Sequence, residues 1–222
     1  MIVRLSTATD SPGLQHESYE RGIFGPKSNP EARFIADHDV LEEYVRACRT
    51  IGLKIVLTSG SFDMLHVGHA RYLEKAKEYG DVLIVGADSD TKVKKRKGKD
   101  RPVVPENERV QMLAHMRSVD LITLKYPDEP KWDLVKRITP DTLIVTEETY
   151  SPEILAELEE ICGRVVVLAP QATTSTSAQI RRLQTGWTGA IVEPVEQLLE
   201  QHNAPEELRR AIGRILLGRG DG

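Results

Sequence analysis

The sequence has little cysteine, no long apolar run and no excess of one charge. Cys48 and Cys162 are its two cysteines, and neither has a CxxC partner or a neighbouring metal-type ligand, so we expect two buried thiols. The 30 Lys and Arg against 34 Asp and Glu give a formal charge of −4, which argues against a nucleic-acid partner. No run reaches the roughly 18 apolar residues of a membrane-spanning helix, so no membrane partner is predicted.

The 222 residues are 40% hydrophobic and 29% charged, which is typical of a globular protein and excludes disorder for most of the chain. A chain of this length buries roughly 70% of the surface that its unfolded form exposes. The first twenty residues lack a basic segment followed by an apolar one, so a cytoplasmic protein is expected.

Three regions differ in their patterning. Residues 1–35 mix Pro, Gly, Ser and charge without a period, which predicts an irregular N-terminal arm with few core contacts. Residues 36–184 alternate short apolar runs with amphipathic stretches and form the predicted central domain. Residues 185–222 carry two amphipathic helices, predicted to pack as a hairpin on the sheet domain or on a second subunit.

The central region predicts an α/β fold. Its short apolar runs are continuous rather than alternating, as in parallel strands covered by helices on both faces. Predicted strands lie at 54–58, 81–86, 121–124, 142–145 and 165–168. Because helical stretches separate them, we expect right-handed crossovers and a Rossmann-like, doubly wound parallel sheet. Such sheets bind ligands beyond the carboxyl ends of their strands.

The strongest motif is SGSFDMLHVGH at residues 59–69, between a predicted strand and a predicted helix. Gly60 lets the backbone approach a ligand, and the N–H groups at the helix start suit a phosphate. His66 and His69 are three residues apart, so both rings can face one anion while Gly68 leaves room between them. The alternative to phosphate binding is that the two histidines simply lie on the surface of a helix. Zinc binding is disfavoured because no third ligand is placed beside the pair.

Two further segments suit phosphate. Hydroxyl residues at 173–177 precede a predicted helix with Arg181 and Arg182, which indicates either a second anion-binding helix start or an ordinary capped helix. The basic run at 92–101 is usually interpreted as a solvated loop. It follows the carboxyl end of the 81–86 strand, however, so some of its groups are predicted to bind phosphate, with Arg101 the favoured candidate in the run.

Residues 60–69, GSFDMLHVGH, resemble the signature of the HxGH nucleotidyltransferases, the cytidylyltransferase-like superfamily. The resemblance extends over about residues 37–184 and is strongest to the adenylyltransferase domain of bacterial ADP-heptose synthases. It rests on Lys97-Gly98, Arg101-Pro102-Val103, Pro105, Glu108-Arg109, Ser118-Val119-Asp120 and the hydroxyl segment at 175–180.

Two segments depart from relatives of that superfamily. Residues 146–150 are TEETY, where heptose enzymes have Lys-Gly-Gly-Asp-Tyr, and this loop is similar to the base-side loop of phosphopantetheine adenylyltransferases. Residues 169–172 are APQA, where glycerol-phosphate cytidylyltransferases have Arg-Thr-Glu-Gly, so CTP is disfavoured.

The resemblance implies transfer of AMP from ATP to a phosphorylated small molecule such as a heptose 1-phosphate, with release of pyrophosphate. It also implies Mg²⁺ carried by the nucleoside triphosphate, and a homodimer. The alternatives are a CTP-dependent cytidylyltransferase for a polyol or amino-alcohol phosphate, and a catalytically silent nucleotide-binding regulator. The predicted catalytic residues are His66, His69, Lys97 and Arg109. The predicted nucleotide contacts are Ser59, Gly60, Ser61, Phe62, Asp63, Gly68, Asp88, Asp90, Arg101, Thr146, Glu147, Tyr150, Ser175, Thr176 and Ser177.

Overall fold

The computed structural model describes residues 29–146, 150–169, 171 and 191–216. The chain divides into two compact units, one ending at Gln171 and one beginning at Ala172. Within the described ranges, no helix combines the length and the apolar character needed to cross a membrane. The domain boundaries at 36 and 184 stay predictions.

The first unit is built on a parallel sheet of five strands in the order β3-β2-β1-β4-β5. The strands are β1 (Ile55–Gly60), β2 (Val82–Asp88), β3 (Leu121–Lys125), β4 (Thr142–Thr146) and β5 (Val165–Leu168). Every residue of β2 is buried, which accounts for its continuous apolar sequence. The predicted Rossmann-like fold is therefore confirmed.

Helices connect these strands. In chain order they are α1 (His38–Thr50), α2 (Val67–Lys77), α3 (Asp90–Lys97), α4 (Glu106–Ala114), α5 (Asp133–Ile138) and α6 (Pro152–Glu159). Asp37 caps α1 by accepting the N–H of Asp39. The buried stripe of α1 is narrower than its sequence predicts, because Val40 and Tyr44 are exposed.

The core lies on both faces of the sheet. One cluster packs Leu73 of α2 and Leu113 of α4 against Val85, and the other packs Leu134 of α5 against Leu57 and Ile84. Adjacent strand residues point to opposite faces, so each strand contributes to both clusters. Cys48 and Cys162 are free and buried, as predicted.

Residues 29–35, the end of the predicted N-terminal arm, contact this core, where few core contacts are expected; residues 1–28 lie outside the described residues. Arg33 donates to the carbonyls of Ala114 and Val119, and the Ile35 N–H donates to Ile122 at 2.8 Å. The 3₁₀ turn at Pro30–Arg33 and the single bridge at Phe34 are too short to produce a repeating apolar pattern in the sequence.

The basic run forms a helix, which corrects its usual interpretation as a loop. Ser89 caps α3 by accepting the N–H of Lys92, and Gly98 ends the helix with a φ of 99°. Val93 is the buried residue of α3, so the helix has almost no apolar stripe for a sequence pattern to detect.

The second unit contains α7 (Glu193–Gln201) and α8 (Glu206–Leu216), at the positions that the sequence predicts. Asn203, with a φ of 50°, lies in the turn between them, and the N–H of Ala204 donates to Leu199. The predicted packing of these helices on the sheet domain or on a second subunit stays a prediction.

Candidate active site

The loop between β1 and α2 places two imidazoles side by side. His66 is the N-cap of α2, and its Nδ1 accepts the N–H of Gly68 at 3.1 Å. The Nδ1 of His69 accepts the N–H of His66 at 3.4 Å, and the two ring centroids are 4.1 Å apart. Since both Nδ1 atoms accept, each neutral ring carries its proton on Nε2. The backbone thus fixes both tautomers and leaves the Nε2–H groups as the donors for a ligand.

Both histidines are held neutral. Burial lowers the pKa of His69 to about 4, with further lowering by His66 and Lys97, and burial also lowers the pKa of His66. At neutral pH the pair therefore supplies directional hydrogen bonds and no net charge of its own. Positive charge at this site has to come from other side chains.

Two residues of this loop adopt a backbone conformation that side chains rarely take. Phe62 has a φ of 47° and Met64 a φ of 52°. The Phe62 ring is buried, lies 5.6 Å from the His69 ring and folds back over Gly60, where an added Cβ would lie 3.2 Å from Phe62 Cε2. A Cβ at Gly60 would crowd the Phe62 ring, and backbone strain such as that at Phe62 and Met64 is concentrated at ligand-binding loops.

Asp63 and Arg101 contact each other. Asp63 is buried, and Arg101 Nη2 lies 2.5 Å from its Oδ2. The same carboxylate accepts the N–H groups of Val103 and Val104 at 3.0 Å. These contacts fasten the 101–104 segment to the β1–α2 loop, which is a positioning role. Nucleotide contact by Asp63 and Arg101 stays a prediction.

Arg109 of α4 ties three chain segments together. Its side chain is 1% exposed, and its guanidinium donates to the carbonyls of Ser61, Asp88 and Val104 and to Asp90 Oδ1. A guanidinium used in this way positions the loops at the ends of β1 and β2. Its predicted contact with phosphate stays a prediction.

Lys97 brings positive charge to the histidine loop. It is the last residue of α3, and its Nζ donates to Ser61 Oγ at 2.9 Å. Burial lowers its pKa, as do Arg96 and Arg101. Lys97 also acts electrostatically on His69, so the structure brings these two predicted catalytic residues together.

A further lysine, which the motif analysis missed, lies at the neighbouring strand end. Lys125 is the last residue of β3, and its Nζ lies 3.9 Å from Oδ1 of Asp88, the last residue of β2. Asp88 also pairs with Arg96 of α3. The indication in the sequence is that Lys125 directly follows a predicted strand, at the edge where such sheets bind ligands.

Two further predicted contacts, Thr146 and Tyr150, lie at the end of β4 and shortly after it. β1 and β4 adjoin where the strand order reverses, so Gly60 and Thr146 end strands at the crevice where such sheets bind ligands. The Tyr150 ring lies 5.9 Å from Trp132, and burial followed by the charge of Asp88 raises the Tyr150 pKa. Glu147, Ser175, Thr176 and Ser177 lie outside the described residues.

Comparison with known proteins identifies the family. Residues 57–184 match the family described as cytidylyltransferase-like. The bifunctional protein HldE of a Nitratiruptor species is 37% identical over 76% of this chain and 35% of its own length. HldE of Sulfurimonas denitrificans is 42% identical over 82% of this chain and 37% of its own length.

This chain thus spans little more than a third of the curated relatives that it matches. Among solved structures, the lipopolysaccharide core biosynthesis protein of Thermoplasma volcanium is 24% identical with a TM-score of 0.48, over 54% of this chain and 98% of that one. The family match covers the histidine loop and all five strands except the first two residues of β1. On this match, the chain belongs to the cytidylyltransferase-like family.

Proposed function

We propose that this chain transfers AMP from ATP to a phosphorylated sugar, a heptose 1-phosphate, and releases pyrophosphate. Membership of the cytidylyltransferase-like family supports nucleotidyl transfer. The similarity to proteins named HldE and the resemblance to ADP-heptose synthases support the acceptor, while the APQA segment at 169–172 favours ATP over CTP.

The observation that carries the proposal is the fixed tautomer of His66 and His69. Two neutral imidazoles with their Nε2–H groups oriented by the backbone are preorganised donors for a phosphate at the start of α2. Donors that need no reorganisation stabilise the charge that develops on a phosphate during substitution. Lys97 donates a hydrogen bond to Ser61 of the histidine loop and adds the positive charge that the neutral histidines lack.

The reaction needs no covalent enzyme intermediate. An anionic oxygen of the acceptor phosphate forms a bond to the α-phosphorus of ATP, and the bond from that phosphorus to the bridging oxygen of the β-phosphate breaks. Pyrophosphate leaves with the electron pair, and no proton has to be removed from the acceptor. The protein therefore contributes alignment and charge stabilisation.

In this proposal His66, His69 and Lys97 contact the triphosphate, and Arg109 positions the loops that do so. Thr146, Glu147 and Tyr150 would face the base, as the resemblance implies. Contacts from Ser175, Thr176 and Ser177 to the β- and γ-phosphates stay predictions.

We propose that Mg²⁺ arrives bound to the triphosphate, whose oxygens are ligands that this ion prefers. In the part of the chain that the structure describes, no three His, Cys, Asp or Glu side chains gather into a metal-binding group. A homodimer also stays a prediction, which light scattering of the purified chain tests.

The test is pyrophosphate release with Mg²⁺, with ATP and CTP each paired with heptose 1-phosphate, glycerol 3-phosphate, phosphopantetheine and flavin mononucleotide. We expect turnover with ATP and heptose 1-phosphate. Turnover with CTP instead would identify a cytidylyltransferase. ATP binding without turnover across the panel would indicate a nucleotide-binding regulator.

A further inference from the structure

The side chain of Lys125 lies against the neighbouring strand β2 at the end of the sheet. Its stem crosses Gly86 of β2, where an added Cβ would lie 2.8 Å from Lys125 Cδ and 2.6 Å from Leu134 Cδ2. A side chain at 86 would force Lys125 and Leu134 to shift, so glycine at this position lets the Lys125 stem lie against β2. The Lys125 side chain is 18% exposed, so it is largely buried but not sealed from solvent.

Asp88 organises the positive charge around this ammonium. Its side chain is 2% exposed and lies 2.9 Å from Arg96 Nη2 and 3.9 Å from Lys125 Nζ. Asp88 also acts electrostatically on Lys97. We call Asp88, Arg96, Lys97 and Lys125 the Asp88 cluster.

The Asp88 cluster carries an excess of positive charge. Three cations face the Asp88 carboxylate. Two further carboxylates act on these lysines, but each has a cation of its own: Glu129 pairs with Lys92 at 3.7 Å and Asp63 with Arg101 at 2.5 Å. Burial lowers the pKa of Lys125, and Asp88 opposes that shift. Cations in excess of their partners, one of them the largely buried Lys125, are stabilised when an anion binds.

The cations of the cluster retain hydrogen-bonding capacity. Within the described ranges, Lys125 Nζ makes no hydrogen bond, and Asp88 Oδ2 has no hydrogen-bond partner despite its proximity to Arg96. At 3.9 Å the Lys125–Asp88 pair is not closed to hydrogen-bonding distance, as a purely structural ion pair would be. The Lys125 ammonium therefore keeps its donors for the oxygens of an anion.

The Asp88 cluster adjoins the histidine loop without being part of it. Lys97 belongs to the cluster and donates a hydrogen bond to Ser61 of the loop. Arg109 donates hydrogen bonds to the carbonyls of both Ser61 and Asp88. A nucleotidyl transfer needs two phosphate sites side by side, one for the triphosphate and one for the acceptor. The histidine loop accounts for the first.

We infer that Lys125 and Arg96 bind the phosphate of the acceptor. Asp88, which lies beside both cations, is the positioning residue. The inference rests on the proposed function for the identity of the acceptor, a sugar phosphate. It assigns Lys125 a substrate contact that selects a phosphorylated acceptor over the free sugar.

The test compares Lys125→Met with wild type in two measurements. The first is the KM for heptose 1-phosphate and for ATP in pyrophosphate release. The second is equilibrium binding of heptose 1-phosphate by calorimetry, with a non-hydrolysable ATP analogue present. Met retains the unbranched stem that crosses Gly86. Lys95→Met is the matched control, because Lys95 is an exposed lysine of α3 next to Arg96.

We expect Lys125→Met to raise the acceptor KM and Kd on the order of tenfold to a hundredfold, while the ATP KM and the Lys95→Met control stay unchanged. Arg96→Met, at a side chain that is 50% exposed, should act in the same direction without disturbing the core. An unchanged acceptor KM in both variants, or an ATP KM that rises instead, overturns the inference and leaves the proposed function standing.

Binding separates the inference from the proposed function. If wild type binds heptose 1-phosphate and Lys125→Met does not, while neither releases pyrophosphate, the inference stands and the proposed function fails. A wild-type chain that neither binds nor turns over heptose 1-phosphate overturns both.

Discussion

His66 and His69 act as donors because the backbone occupies their Nδ1 atoms. Their spacing follows from the helix start, where the N–H groups of Gly68 and His66 need acceptors and the two rings provide them. The motif at 59–69 predicts both residues, but their tautomers depend on hydrogen bonds that only coordinates show.

Replacing His69 by Ala should lower turnover on the order of a hundredfold, because the variant loses a preorganised donor to the reacting phosphates. The measurement is kcat for pyrophosphate release at saturating substrates. His115→Ala, at an exposed histidine that follows α4, is the control and should retain wild-type kcat. Near-normal turnover of His69→Ala would refute the role of the pair.

The low pKa of His69 predicts a pH-dependent stability. Because its pKa is about 4 in the folded protein against a usual 6.5, the unfolded chain binds the proton first as the pH falls. The free energy of unfolding therefore decreases as the pH falls from 6.5 to about 4. Above this window His69 makes no such contribution.

His69→Gln removes the titrating ring, so its free energy of unfolding should improve relative to wild type between pH 7 and pH 4.5. Urea unfolding at the two pH values measures the difference. A constant difference at both pH values would mean that His69 titrates normally in the folded protein.

At the scale of elements, the loops at the ends of β1 and β2 depend on one helix. Arg109 extends from α4 and satisfies the carbonyls of Ser61, Asp88 and Val104 as well as Asp90. The sequence predicts α4 and identifies Arg109, but it cannot show that this arginine is buried and bonded to three carbonyls; its predicted contact with phosphate stays a prediction.

Arg109→Met should destabilise the fold by about 3 kcal/mol, since it leaves the Asp90 carboxylate and buried carbonyls without their donor. Urea unfolding of this variant beside Arg117→Met, at an exposed arginine, measures the cost. A change within roughly 0.5 kcal/mol for Arg109→Met, the range of ordinary surface substitutions, would contradict the positioning role.

The elements that sequence analysis finds are those with an apolar pattern. The five strands and the helices around them are predicted from buried apolar runs. Sequence analysis misses α3 because Val93 is its single buried residue. Its Ser89 cap and terminal Gly98 are both visible in the sequence, so capping residues would have indicated this helix.

At the scale of the whole molecule, the strand order brings the ends of β1, β2 and β3 to one edge. The histidine loop, Asp88 and Lys125 come together there although they are far apart in sequence. Alternating strands and helices predict the parallel sheet, but the pairing of Lys125 with Asp88 depends on register, which the sequence does not specify.

Binding of ATP with Mg²⁺ should raise the melting temperature of the chain. At about 100 times Kd a ligand stabilises the native state by about 2.7 kcal/mol, which for a chain of this size is roughly 5–10 °C. Differential scanning fluorimetry with ATP and with CTP measures the shift. A larger shift with CTP than with ATP would contradict the assigned nucleotide.

The central claim is that a phosphate oxygen of the acceptor attacks the α-phosphorus of ATP. The most direct measurement uses heptose 1-phosphate labelled with ¹⁸O in its phosphate group, with mass spectrometry of both products. The nucleotide sugar should retain all of the label, and pyrophosphate should carry none. Label in pyrophosphate, or a product without the acceptor phosphate, would contradict this claim.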